Sequence, residues 1–247
     1  MQPVIYFLAI TDWKFVKKII IIPAFNEEAT IEKVLSSAKE FCPDYDILVI
    51  NDGSTDGTLD IARSFAFTKT INLPINLGVG GAVQTGFLYS RRNGYDLAVQ
   101  IDADGQHKPS EVPKITEPLL RNEADVVIGS RFIERGSYRK MTFRRLGIKL
   151  FSLTNKILLK EKITDSTSGF RSYNKKAIGI LSVNYPDDYP EPEAIYILKR
   201  KGLRIKEVPV EMTSRLGGKS SISVFESIYY MIKVFLAIFV LILRKQE

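Results

Sequence analysis

Between Lys17 and Ser130 the sequence repeats one alternation: a short β-branched, apolar run, a segment with helical spacing, then another run. "KIIIIP" reads as a buried strand and "NEEATIEKVLSSAKEF" as the helix behind it, with Asn26 placed to cap it and acidic residues in its first turn. "DILVIND" and "DGTLDIARSF" repeat the pair. "KTINLP" is a short strand, "GVGGAVQTGFLYSRRNG" a glycine-opened helix, "YDLAVQID" a strand, "PSEVPKITEPLL" an interrupted helix and "ADVVIGS" a strand. That rhythm implies an α/β fold, a mostly parallel sheet flanked by helices on both faces, with right-handed crossovers. Ligands on such sheets gather at the carboxyl ends of the strands.

The polar residues sit at those ends. The first strand runs into "PAFNEE", the second into "NDGSTDG", the fourth into "DADGQH" and the fifth into "GSRF". Asp102 and Asp104 are one residue apart, and like charges this close are unfavourable unless a cation lies between them. Oxygen ligands suit Mg²⁺ or Mn²⁺, with Gln106 adding an amide oxygen and His107, the only histidine, a nitrogen. Taken alone, an Asp-rich turn that caps a helix explains the pair as well. Asp52 offers a carboxylate to the N–H of a nucleobase, or closes an Asx turn with Gly53. Asn26 and Glu27 offer polar groups at a helix start, or simply cap it. "GVGGAV" meets only part of G-x-G-x-x-G and does not follow the first strand, and no G-x-x-x-x-G-K-[ST] occurs, so hydride transfer and P-loop phosphoryl transfer lose most of their support.

Charge and termini narrow the partners. Residues 1–130 carry 12 Lys and Arg against 17 Asp and Glu, while residues 131–247 carry 23 against 11, so the second half should attract phosphates, nucleic acid or an acidic membrane surface. A single cysteine, Cys42, excludes an internal disulfide framework. "VIYFLAI" near the start lacks a preceding Lys or Arg and reads as an accessory segment, residues 1–16, rather than a secretory signal. Residues 222–247 read as an apolar, amphipathic helix ending in Arg244 and Lys245; its uninterrupted run "VFLAIFVLIL" is about half of the ~20 residues a spanning helix needs. A helix lying in the membrane interface fits that pattern, and burial against the protein's own domain is the alternative.

The ordered set "IIPAFNEE", "VINDGSTDGT", "NLGVGGAVQTGF", "DADGQHKP", "GSRF", "TSGFR" and R-x-x-G-x-S at Arg215, Gly218 and Ser220 resembles the family 2 glycosyltransferases of the GT-A (Rossmann-like) fold. Within them it is similar to the dolichol- or polyprenyl-phosphate mannose and glucose synthases. The resemblance covers roughly Lys17 to Ser221, which makes 17–221 the catalytic domain. It implies a nucleotide-sugar donor of the GDP-mannose or UDP-glucose type held by Pro23, Ala24, Phe25, Asn26, Glu27, Asp52 and the Asp102-Ala103-Asp104 turn, with the divalent metal on Asp102, Asp104 and Gln106. Arg131 and Arg144 or Arg145 look like phosphate clamps, because the planar guanidinium fork matches phosphate oxygens. Arg171 joins them or forms a salt bridge that holds the fold. Arg215, Lys219 and Ser220 look like a loop closing over the donor.

The resemblance further implies inversion at the anomeric carbon, with Asp104, Arg131 and Arg215 stabilising the leaving diphosphate. A polyprenyl or dolichyl phosphate acceptor is already anionic and needs no strong base. A hydroxyl acceptor on a glycan would need one, and Glu191 or Glu193 in "YPEPEAIY" could serve, although the acidic pair also suits plain capping of the helix that follows. A third reading is a non-catalytic module that only binds nucleotide-sugars. The expected setting is the cytoplasmic face of a membrane, with or without a separate membrane protein as docking partner, and no nucleic acid.

Overall fold

A computed structural model of the protein describes residues 16–133, 163–186 and 190–214. Most of the N-terminal segment, the apolar C-terminal helix, and Arg144, Arg145, Arg215, Lys219 and Ser220 lie outside the described residues. Seven strands form one sheet: β1 (Lys18–Ala24), β2 (Asp46–Asn51), β3 (Thr68–Asn72), β4 (Leu97–Gln100), β5 (Val126–Ser130), β6 (Arg171–Asn174) and β7 (Ile205–Pro209). The helices are α1 (Ile31–Phe41), α2 (Thr58–Ser64), α3 (Gly78–Arg92), α4 (Val112–Leu120), α5 (Lys175–Leu181) and α6 (Pro190–Arg200).

The strand order is β3-β2-β1-β4-β6-β5-β7, with every described pairing parallel except the two made by β6. Strand periodicity divides the apolar residues between two covered faces. Ile20 and Ile22 join Ile31, Val34, Leu35, Val112 and Ile115 under α1 and α4, while Ile19 and Ile21 join Val83, Phe87, Ile178 and Leu198 under α3, α5 and α6. All four isoleucines of β1 are fully buried, each contributing about 2 kcal/mol. The close seating of α3 on β1 depends on Gly86, where a Cβ would stand 2.3 Å from Ile21 Cγ2.

Two features differ from the sequence expectation. Asn26 does not cap α1: it sits at φ +54°, and the helix begins five residues later with Thr30 at its N-cap. Its side chain instead accepts from the Thr55 N–H at 2.9 Å, which ties the end of β1 to the loop after β2. The second is β6, which enters antiparallel between β4 and β5 although R-S-Y-N carries no apolar run. The expected "interrupted helix" begins as one 3-10 turn, Pro109–Glu111, before α4.

Candidate active site

The carboxyl edge of the sheet is assembled in two halves. In the first, the loops after β1 and β2 are laced by backbone-to-side-chain bonds: Asn26 N–H to Ser54 Oγ, Glu27 N–H to Thr58 Oγ1 at 2.8 Å, and Gly57 N–H to Glu28 Oε2 at 2.9 Å. Glu27 also accepts from Thr30 through Oε2, so its carboxylate faces its own turn. Asp52 is almost buried; its N–H donates to Ala24 O, and its Oδ1 accepts from the Leu77 N–H at 2.7 Å. That bond brings the loop before α3 up to the β2 end, a close approach permitted by Gly53 at φ +69°, whose absent Cβ would stand 2.8 Å from Asn76 N. Pro23 and Ala24 close β1 beneath this lacing, and Phe25, Leu77 and Val79 remain exposed along it.

The second half is the turn after β4. Ile101 and Ala103 are buried and anchor it, which leaves Asp102, 37% exposed, and Asp104 at the open edge. Asp104 Oδ1 accepts from the Gln106 N–H at 2.9 Å, with Gly105 supplying φ +76°. His107 is not positioned as a metal ligand. Its ring is buried and stacked on Phe170 with centroids 5.0 Å apart, Nδ1 accepts from the Asp102 N–H at 3.0 Å, and Nε2 lies 3.6 Å from Asp102 Oδ2. Burial pushes this imidazole down to about 4, so it is neutral and supports Asp102 from beneath. The turn is bolted to the chain beyond β7: Thr213 donates through Oγ1 to Gly105 O at 2.8 Å and through N–H to Gln106 O at 3.0 Å. A cleft of about 320 Å³ opens behind the turn, lined by Lys33, Phe41, Lys108 and Thr213 among others, and it contains no candidate donor ligand apart from the back of the turn itself.

Arg131 follows β5 and meets a residue that sequence reasoning did not single out. The Asp165 carboxylate takes Arg131 Nε at 2.7 Å and Nη2 at 2.6 Å, and the Arg131 backbone N–H at 3.0 Å. Asp165 is in turn held by Glu207 of β7, whose Oε1 accepts the Asp165 N–H at 2.7 Å; burial raises the Glu207 carboxyl above its usual range. Arg171 is the clearest departure from expectation. It is fully buried, and its guanidinium donates to the backbone carbonyls of Ser168, Glu191 and Ser166, each at 2.7 Å. Neither a phosphate ligand nor a simple salt bridge, it braces the loop before β6 against the start of α6.

That brace sets Glu191 in place. Glu191 and Glu193 stand in the first turn of α6, as the capping alternative expects. Burial raises the Glu191 carboxyl, Arg171 opposes that rise, and the charge of Asp102 adds to it, which puts Glu191 within electrostatic reach of the β4 turn. Gly169 was also missed: a Cβ there would stand 3.2 and 3.3 Å from the two Asp102 carboxylate oxygens. A side chain at this position of the "TSGFR" stretch would press on the Asp102 carboxylate. Among the described residues no three or more His, Cys, Asp and Glu side chains gather into a closed metal site. Two carboxylates on an open turn suit an ion that takes its remaining ligands from a diphosphate and water.

Comparison with known proteins agrees with this arrangement. The sequence profile described as glycosyl transferase family 2 matches residues 19–180. A polyprenol monophosphomannose synthase of Mycolicibacterium smegmatis is 31% identical over 84% of this chain and 81% of its own length. An undecaprenyl-phosphate mannosyltransferase of Micrococcus luteus is 33% identical over 82% and 86%. A UDP-N-acetylglucosamine–dolichyl-phosphate N-acetylglucosaminyltransferase of Methanococcus voltae is 32% identical over 78% and 84%. In three dimensions the fold matches a glucosyl-3-phosphoglycerate synthase of Mycobacterium tuberculosis, crystallised with Mn²⁺, UDP-glucose and phosphoglyceric acid, at TM-score 0.69 and 22% identity over 90% of this chain and 78% of that one. By its sequence, the chain belongs to glycosyl transferase family 2.

Proposed function

We propose that the protein transfers a hexose from a nucleoside diphosphate to a polyprenyl phosphate, with inversion at the anomeric carbon. The observation that carries this reading is the paired display of Asp102 and Asp104 on an anchored turn at the carboxyl edge, with the end of β1 between it and the Asp52 end of β2. The acceptor class follows the curated relatives, whose names specify polyprenol, undecaprenyl or dolichyl phosphate while the sugar differs among them.

Each residue then has a task. Asp52, with one oxygen committed to Leu77, presents the other to a base N–H, between the Pro23-Ala24-Phe25 end of β1 and the loop before α3. Asn26 and Glu27 hold that loop in shape. Asp102 and Asp104, with Gln106 beside them, would hold Mg²⁺ or Mn²⁺, which when bound supplies positive charge to the departing diphosphate. A phosphate oxygen of the acceptor forms the new bond to the anomeric carbon as the bond from that carbon to the diphosphate oxygen breaks; the electron pair leaves with the nucleoside diphosphate. No proton need be removed from such an acceptor. Arg131, oriented by Asp165, and Arg144 or Arg145 draw the acceptor phosphate, and Arg215, Lys219 and Ser220 close over the donor. Residues 17–221 make up the catalytic domain, preceded by the accessory segment 1–16. Among the described residues no helix is long and apolar enough to cross a membrane, and residues 222–247 serve as the interfacial attachment, at the cytoplasmic face.

One observation favours a second reading, a hydroxyl acceptor on a glycan. The raised Glu191 carboxyl near Asp102 has the environment of a general base. The deciding experiment offers purified protein a panel of labelled nucleotide-sugars with Mn²⁺ or Mg²⁺ and polyprenyl phosphate, with Asp104→Asn as control. Label entering the organic phase only with intact Asp104 supports the lipid acceptor. Donor binding without lipid product moves the assignment to a hydroxyl acceptor and to Glu191.

A further inference from the structure

One strand serves both halves of the carboxyl edge. Just beyond β7, Thr213 holds the aspartate turn, and within β7, Glu207 reaches the segment that carries Asp165. Glu207 lies opposite Ile128 in the β5–β7 register, and Ile128 is buried with Ile163 and Ile195. Ile163 leads directly into Thr164 and Asp165, so the apolar contact brings both residues to the Glu207 carboxylate. Oε2 accepts the Thr164 N–H at 2.7 Å and the Thr164 hydroxyl at 3.0 Å, while Oε1 accepts the Asp165 N–H at 2.7 Å. With its own proton given to Glu207, Thr164 Oγ1 accepts from the Ser130 hydroxyl at 3.1 Å. Ser130 ends β5, immediately before Arg131.

The route from Glu207 to the guanidinium is short and continuous. Glu207 fixes the backbone of Asp165, and the Asp165 side chain takes Arg131 through Nε, Nη2 and the backbone N–H, with Thr167 Oγ1 3.2 Å from the same Nη2. A carboxylate suits its place in this chain better than an amide. Both carboxylate oxygens accept, whereas an amide has one oxygen and would turn an NH₂ donor against the second backbone N–H. Direction matters here because a guanidinium fork recognises phosphate by geometry as well as by charge, so a shifted Asp165 would aim the fork away from its target. We propose that Glu207 is a positioning residue for the acceptor, setting the direction of the Arg131 fork through Asp165 without touching substrate itself. The proposal rests on the reading of Arg131 as an acceptor-phosphate ligand above.

The test measures transfer by the full chain, with Mn²⁺, from the labelled nucleotide-sugar selected by the panel above to undecaprenyl phosphate in detergent micelles. Wild type is compared with Glu207→Gln, Glu207→Asp, Arg131→Lys and the double variant Glu207→Gln with Arg131→Lys, and affinity for UDP and GDP is titrated alongside. Glu207→Gln should lower kcat/KM for the lipid by about tenfold, chiefly by raising KM, with nucleoside diphosphate affinity unchanged. Glu207→Asp keeps both oxygens on a shorter stem; it guards against a folding artefact and should shift the same constant by less. In the Arg131→Lys background, Glu207→Gln should add no more than about twofold, because two changes that act through one contact do not add. Unchanged acceptor kinetics in both Glu207 variants, equal losses for lipid and diphosphate, an additive double variant, or failure of both to fold makes Glu207 a fastener of the fold and overturns the assignment. An Arg131→Lys variant that keeps the wild-type acceptor KM, or a wild type that makes no lipid product, overturns instead the acceptor reading of Arg131, and the role of Glu207 with it.

Discussion

Arg131 and Asp165 form a two-pronged ion pair in which the carboxylate is fully buried and the arginine side chain is 17% exposed. Removing one partner of a buried pair leaves the other charge uncompensated, so Asp165→Ala should lower unfolding free energy by about 3 kcal/mol, read from a denaturant midpoint. Arg131→Lys keeps the charge and loses the fork. It should lower kcat/KM for the lipid acceptor by about tenfold or more while leaving donor affinity intact, and equal loss on both sides would deny it an acceptor role.

Asp102 and Asp104 repel each other in the free protein. Changing Asp104 to Asn should leave the melting temperature unchanged or slightly raised, yet reduce transfer by about 10²-fold or more, the scale seen when a charge-stabilising group is removed from an active site. Transfer that persists at near wild-type rate in Asp104→Asn would remove this turn from the chemistry.

Gly86→Ala tests the seating of α3. The added methyl would overlap Ile21, so the variant should be destabilised by about 1–3 kcal/mol through overpacking, measured by thermal or chemical unfolding. A neutral result would mean that α3 slides along β1 without resistance.

Acid stability has a defined contributor. The hydrogen bond from Arg204 holds the Asp125 carboxyl down to about 2, against an unfolded value near 3.8. The unfolded chain therefore binds this proton more readily, and the stabilisation is complete above about pH 4 and lost as pH falls towards 2. Asp125→Asn should flatten the stability profile in that window and leave its shape above pH 5 unchanged, as followed by unfolding at a series of pH values.

Truncation after Ser221 should release the protein from sedimented membranes without changing affinity for UDP or GDP. A truncated form that still sediments would place the attachment elsewhere on the chain.

What could be read in the sequence was whatever sequence spacing determines locally. β1, β2, β4 and β5 were legible because each is an apolar run, and the aspartate pair because it ends one of them. β6 was not, since Arg171 and Ser172 are buried by satisfying their polar groups on backbone carbonyls, among them those of Glu191 and Ile115 far along the chain, a solution that leaves no apolar signature. Asp165 was missed because an aspartate in "TDSTSG" reads as a turn residue; only its approach to Arg131 makes it an ion-pair partner. Asn26 failed as a cap for a related reason. Its side chain serves a loop that starts nearly thirty positions away, and local capping rules cannot see that competitor.

The antiparallel strand β6 has a consequence for the order in which the protein becomes able to work. The parallel β1-β2-β3 unit closes loops of roughly 25 residues, whereas pairing Gln100 with Arg171 spans 71 positions and carries a larger entropic cost. Because β6 runs against its neighbours, its first residues arrive at the same edge as the last residues of β4, bringing Gly169, Arg171 and the Asp165 loop to the aspartates. Pairing β4 with β1 closes 79 positions, from Lys18 to Leu97, so the aspartate turn and its opposing wall both depend on long-range closures that the local β1-β2-β3 unit does not need. The second half of the site thus rests on distant pairings, one of them made by a strand of only four residues.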